Sequence, residues 1–231
     1  MKSTASRWTI GIALIIAIGV SYHPVHADYA AGMNAFKAKD YNTAATEFEA
    51  VLKEQPNEPA THYMLGLCRR AQNNLSAALG SFQKAVELDS ANETPNPMYT
   101  ITLGQTLNQA KQYNEAYSVL KGVSFNSLPN NYRSTYALLF ANAANETNRA
   151  GEAVSVLSSQ VRADSSNADL YQALGVAQDD LGDDKAAYTA FKRAYELNPN
   201  NDASGRYAVR AATAAARRSG SSSEKSTYYT D

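Results

Sequence analysis

Residues Ala168–Pro199 read ADLYQALGVAQDDLGDDKAAYTAFKRAYELNP, two amphipathic stretches parted by the turn pair Gly182-Asp183. In each stretch apolar residues return every three or four positions, which gathers them on one helix face. Gly175 lies in the first stretch, Ala187 follows twelve positions later, Phe191 four further on, and Pro199 eight beyond that. The spacing predicts two helices packed closely. A glycine lets the facing helix approach, the alanine fills the narrow contact, and the phenylalanine plugs the space between neighbouring units. The proline stops the second helix.

The same set recurs along the chain. Gly32, Ala44 and Phe48 form one copy, Gly66, Ala78 and Phe82 a second, and Gly104, Ala116 and Leu120 a third. A further copy, before the one quoted, carries Ala141 in place of the glycine, with Ala153 and Leu157 in register. The intervals from Gly32 to Gly66 and from Ala141 to Gly175 are equal, and the two between them are slightly longer. Those longer intervals hold insertions near Asn92–Pro97 and Gly122–Pro129, rich in Asn, Ser, Pro or Gly and so expected in loops. No such unit buries its apolar stripes alone, so the units must stack into one continuous core. Composition agrees: 40 of 231 residues are alanine, whereas glycine and proline together number 19.

This pattern resembles the tetratricopeptide repeat (TPR) family over roughly Asp28–Asn200. It is closest in Ala60–Asp89 (ATHYMLGLCRRAQNNLSAALGSFQKAVELD) and in Ala168–Pro199. The resemblance implies an all-α, right-handed superhelical α-solenoid of about five helix-turn-helix repeats. They would occupy residues 28–56, 59–92, 97–127, 131–165 and 168–200. Residues 201–218 would then form a capping helix, with Arg206, Arg210 and Arg217 on one face and Tyr207, Ala211, Ala214 and Ala215 on another. Residues 219–231, Ser-rich and without aliphatic side chains, are expected to be a disordered tail.

Family members act as adaptors, their first helices lining a concave groove that holds a partner peptide or helix. The resemblance places that groove on Tyr29, Met33, Phe36 and Lys37, then on Tyr63, Leu67 and Arg70. It continues through Ile101, Gln105, Asn108 and Gln109, then Leu138, Asn142 and Asn145, and ends at Gln172, Val176 and Asp179. Such a groove passes from apolar and basic, through Asn- and Gln-rich, to acidic. The positions where the family grips chaperone C-terminal carboxylates carry Tyr29, Met33, Met64, Met98 and Thr102, which departs from that use.

Residues 1–27 read as an address. Lys2 and Arg7 precede the uncharged run Trp8–Val20, and Val25-His26-Ala27 offers a cleavage site before Asp28. The run is short of the ~20 residues needed to span a bilayer as a helix, so a secretory signal peptide is expected, with export to the periplasm or beyond. No stable membrane insertion is expected after cleavage. Cys68 is the only cysteine, which leaves packing rather than disulfides to hold the fold.

Little in the chain carries chemistry. Beyond the leader His62 is the only histidine, too few ligands for a metal site and no base–nucleophile pair for hydrolysis. Asp179, Asp180, Asp183 and Asp184 lack calcium-loop spacing, and the isolated glycines form no phosphate loop. A net charge of −1 gives no basic surface for nucleic acid. No cofactor and no catalytic or metal-binding residue is expected. The expected function is an exported, non-catalytic scaffold that binds a protein or peptide in a cell-envelope assembly, such as secretion, pilus or outer-membrane machinery. A cell-wall glycan binder using Asn, Gln and Tyr of the groove is the alternative, and an envelope enzyme the third reading.

Overall fold

The computed structural model describes residues 28–125, 128–200 and 202–218. The expected leader at 1–27 and tail at 219–231 lie outside the described residues. Among those described there are eleven α-helices and no strand. They are α1 (Tyr29–Lys37), α2 (Tyr41–Glu54), α3 (Pro59–Ala71), α4 (Leu75–Asp89), α5 (Pro97–Gln109) and α6 (Tyr113–Lys121), then α7 (Asn130–Asn145), α8 (Ala150–Ala163), α9 (Ala168–Asp180), α10 (Asp184–Leu197) and α11 (Asp202–Arg218). Consecutive helices pack in pairs, and each pair packs on the next, giving the superhelical solenoid. As far as they are described, both insertions fall between units, the first between α4 and α5 and the second between α6 and α7.

The repeated residues meet inside each unit. A Cβ placed on Gly32 would lie 2.7 Å from the Phe48 ring, on Gly66 2.5 Å from Phe82, on Gly104 2.6 Å from Leu120 and on Gly175 2.6 Å from Phe191. Each plug therefore sits on the glycine of its own unit, and Phe48 and Phe82 also join the buried residues of the unit that follows. The rows of plugs and alanines then merge into a core running from Ala78 to Ala190, with smaller clusters around Phe48 and Phe191 at the two ends.

Every first helix from α1 to α9 ends the same way. Lys39, Asn73, Lys111, Asn148 and Gly182, each seven positions past the glycine or its alanine substitute, have φ of 62°, 60°, 59°, 58° and 77°. The next residue's N–H donates back to the helix, from Asp40 to Ala35 O at 3.0 Å, from Asn74 to Arg69 O at 2.9 Å, and likewise from Gln112, Arg149 and Asp183. This left-handed closure satisfies carbonyls that the helix end would otherwise orphan. The side chains of Asp40, Asn74 and Asp183 in turn cap the following helix by accepting from Thr43, Ala77 and Ala186 N–H. One short turn thus closes one helix and starts the next, fixing their angle in all five units.

The last helix is more than a cover. Ser204, Ala208 and Ala211 are buried one repeat length after Leu170, Leu174 and Ala177, and Tyr207 stacks on Phe191 at 5.1 Å. Helix α11 thus caps the last unit in the register of a repeat's first helix, packed on α10. Val209, one repeat length after Gly175, is 51% exposed. Side chains from residue 214 onward lie outside the described set, so the expected placing of Ala214, Ala215 and Arg217 does too.

Candidate functional site

The first helices α1, α3, α5, α7 and α9 carry the side chains expected to line the groove, and α5 packs on α7 and α7 on α9 directly. The N-terminal part of this wall is aromatic. Tyr29, 39% exposed, tilts against Phe48 at 5.4 Å, and Phe36 meets Tyr41 edge-on at 5.5 Å. Tyr63 packs on Phe82 at 5.7 Å and on Tyr99 at 4.8 Å, its hydroxyl 3.3 Å from Thr102 Oγ1. Burial pushes the Tyr29 phenol above its usual pKa; burial and then the Asp89 carboxylate do the same to Tyr99. Both stay neutral and able to hydrogen-bond. Met33 and Leu67 are half-buried against the core around Phe48, and Lys37 is exposed.

Arg70 is already anchored. Its Nη1 donates to Gln105 Oε1 at 3.2 Å and to Thr106 Oγ1 at 3.4 Å, while its guanidinium lies 5.6 Å from the centre of the Phe82 ring. The charge is thus held across the seam between two units, and no acidic partner within 4 Å accompanies it among the described residues.

The middle of the wall differs from expectation. Ile101 is 3% exposed and Asn108 9%, so both lie within the wall and not on its surface. Asn108 Nδ2 reaches the Leu139 carbonyl at 2.8 Å because α5 and α7 pack directly on one another. Gln105 and Gln109 remain exposed.

Farther on, Leu138, Asn142, Asn145, Gln172 and Val176 line a cleft of about 260 Å³. Asn142, Asn145 and Val176 also border a larger pocket of about 600 Å³, together with Glu146 and Asp180. Gln172 accepts from Ser204 at 3.0 Å, and Arg210 pairs with Asp179 at 3.1 Å. Sequence reasoning left Tyr99, Glu146, Asp180, Ser204 and Arg210 out of the groove. The signal was present for Arg206 and Arg210, which lie one repeat length after Gln172 and Val176.

Elsewhere the polar groups tie helices together. His62 Nε2 lies 2.9 Å from the Pro56 carbonyl. The Cys68 thiol is buried, and that burial raises its pKa to about 11. Lys121 donates to the Tyr117 hydroxyl, which donates to Glu152, joining α6 to α8. Among the described residues no three His, Cys, Asp or Glu side chains are grouped to hold a metal ion. No helix among them is long and apolar enough to cross a membrane.

Family models described as tetratricopeptide repeat match residues 29–93 and 168–201. Those two stretches are tetratricopeptide repeats. Solved TPR-type structures share the chain's fold. MamA (residue 41 to the end) from Desulfovibrio magneticus RS-1 is 19% identical, over 74% of this chain and 93% of that one, with a TM-score of 0.63. YrrB, described as a TPR protein with an unusual peptide-binding site, is 17% identical over 78% and 87%, with a TM-score of 0.66. PilF from Pseudomonas aeruginosa is 16% identical over 87% and 86%, at 0.62. At these identities the likeness is one of fold. No curated protein matches the chain. The matched stretches contain the two TPR units read most clearly from the sequence, Ala60–Asp89 and Ala168–Pro199.

Proposed function

We propose that this TPR protein is an exported, non-catalytic scaffold whose concave groove holds an extended or helical segment of a partner protein in the cell envelope. The observation that carries the reading is the N-terminal wall. There Tyr29, Met33, Phe36, Tyr63 and Leu67 form a half-exposed apolar strip beside a guanidinium that Gln105 and Thr106 hold in place. Aromatic rings and arginine on a pre-ordered surface supply much binding energy at small entropic cost. A segment with apolar anchors and a carboxylate for Arg70 fits this strip. The peptide-binding site ascribed to YrrB, on the same fold, supports a peptide as the occupant. Export rests on the sequence of residues 1–27.

The experiment is capture of envelope proteins by the wild-type chain and by Tyr63→Ala with Arg70→Ala. The double variant should bind the captured partner more weakly by about 2 kcal/mol or more. Both side chains also tie α3 to α5, so a melting curve accompanies the measurement. Lys37→Ala, which breaks no bond between units, should weaken capture on its own. Undiminished capture by both variants refutes the reading. Loss on changing Asn142 or Asp179 instead moves the site to the polar half and favours glycan.

A further inference from the structure

The sequence beyond Arg218 contains a segment of the chemistry that the N-terminal wall accepts. Residues Ser219–Ser223 are serine and glycine only, and Glu224–Asp231 follows as EKSTYYTD. Two adjacent aromatic residues, Tyr228 and Tyr229, are thus followed closely by a carboxylate.

The wall offers the counterparts. Tyr29 is exposed and Met33, Phe36, Tyr63 and Leu67 are half-buried, which leaves ring and aliphatic surface to cover. Arg70 Nη1 donates to the neutral side chains of Gln105 and Thr106, and Lys37 is exposed. Neither cation has a carboxylate within 4 Å among the described residues. At the other end of the groove Glu146 and Asp180 are exposed acids, which repel a carboxylate. Charge therefore directs an acidic segment to the N-terminal end.

The spacing agrees. In an extended segment side chains alternate, so Tyr229 and Asp231 face the same way about 6.7 Å apart. Along the axis of α3, Arg70 lies about 4.5 Å from Leu67 and about 10.5 Å from Tyr63. A carboxylate at Arg70 would thus set the Tyr229 ring between Leu67 and Tyr63.

Length decides which copy supplies the segment. The described chain ends at Arg218 on α11, four first helices beyond α3. Packed helix axes lie at least about 8 Å apart, so the path along the wall is about 32 Å or more. Tyr228 is ten residues beyond Arg218, and ten residues span at most about 36 Å when fully extended. A chain reaches its own N-terminal wall only with a taut segment, at a large cost in conformational entropy. The wall of a second copy imposes no such constraint.

We infer that the N-terminal end of the groove receives residues 224–231 of a second copy of this chain, with Tyr228 and Tyr229 on the aromatic strip and Asp231 at Arg70 and Lys37. The inference rests on the groove reading and names an occupant that an envelope partner must displace. Such a contact joins unlike surfaces, so copies add head to tail.

The test uses the full chain and a fluorescein-labelled synthetic peptide of residues 219–231. In fluorescence anisotropy the peptide should bind wild type, and Asp231→Asn in the peptide should weaken binding about tenfold. That loss should shrink to about twofold or less in the chain carrying Lys37→Ala with Arg70→Gln, as expected for groups in contact. Arg70 also ties α3 to α5, so a melting curve accompanies the double variant, and Lys37→Ala alone should still weaken binding. In sedimentation velocity wild type should grow heavier with concentration, and Tyr228→Ala with Tyr229→Ala, outside the described helices, should abolish that growth. Both chains carry the same leader, so the leader cannot produce the difference. Peptide that binds neither wild type nor the tyrosine variant overturns the inference, while capture of envelope proteins still tests the groove reading separately. Peptide that binds only the tyrosine variant, with wild type monomeric, puts each segment in its own groove and overturns the second copy. Binding indifferent to Lys37→Ala and to Arg70→Gln overturns the site.

Discussion

Replacing Gly66 by alanine tests the packing rule on which the solenoid is built. The added Cβ would stand 2.5 Å and 2.6 Å from two carbons of the Phe82 ring, which is fully buried. Real contacts do not come so close, so α3 or the ring must shift, and overpacking of this kind costs roughly 1–3 kcal/mol. Against it stands the helix preference of alanine over glycine, worth about 1 kcal/mol. Gly80, on the outer face of α4, isolates that second effect, because a Cβ there meets nothing within 4 Å. Gly80→Ala should stabilise the protein by about 1 kcal/mol, and Gly66→Ala should fall about 1–3 kcal/mol below it. Unit four accommodates a Cβ, with Ala141 and the smaller Leu157 both buried, whereas unit three keeps a glycine whose Cβ position lies 2.6 Å from Leu120. Phe82→Leu in the Gly66→Ala background should therefore cost less than Phe82→Leu alone, a non-additivity expected of residues in contact. Urea unfolding followed by circular dichroism reads all four variants. Equal stabilisation by Gly66→Ala and Gly80→Ala would refute the reasoning.

Lys111 sits at φ 59°, where a side chain is strained, so Lys111→Gly should raise stability by about 0.5–1 kcal/mol in the same urea assay, and Gly182→Ala should lower it by a similar amount. The Cys68 thiol, with its pKa raised to about 11 by burial, should resist a thiol reagent at pH 8 in the native protein and react promptly in 6 M urea. Asp180 is an acid whose folded pKa is raised, so its charge destabilises the fold above that value and the penalty disappears as pH falls below the ordinary carboxylate range. Melting curves should accordingly show Asp180→Asn more stable than wild type at neutral pH and equal to it in acid.

What could be read from the sequence follows from how each position is specified. The close contact admits only glycine or alanine and the plug only a large apolar residue, so Gly66 and Phe82 stand out at a fixed offset. The left-handed turn residue admits Lys39, Asn73 and Gly182 alike, because backbone bonds and not side chains hold it, and no shared residue type announces it. The groove was legible only as a register. That Ile101 and Asn108 lie within the wall depends on how closely α5 approaches α7, which the offset alone does not convey. Helix α11 was legible as a cap, but its register was not, because only small Ser204, Ala208 and Ala211 at the repeat offset mark it.

The central claim is that the partner lies along the inner wall. A photo-crosslinking amino acid placed singly at Met33, Gln105 or Asn142 on the inner wall, and at Gln83 or Lys192 on second helices outside it, tests this in the living cell. The account predicts that the three inner positions crosslink to one common partner and the two outer positions do not. Crosslinks to that partner from Gln83 or Lys192 alone would contradict it.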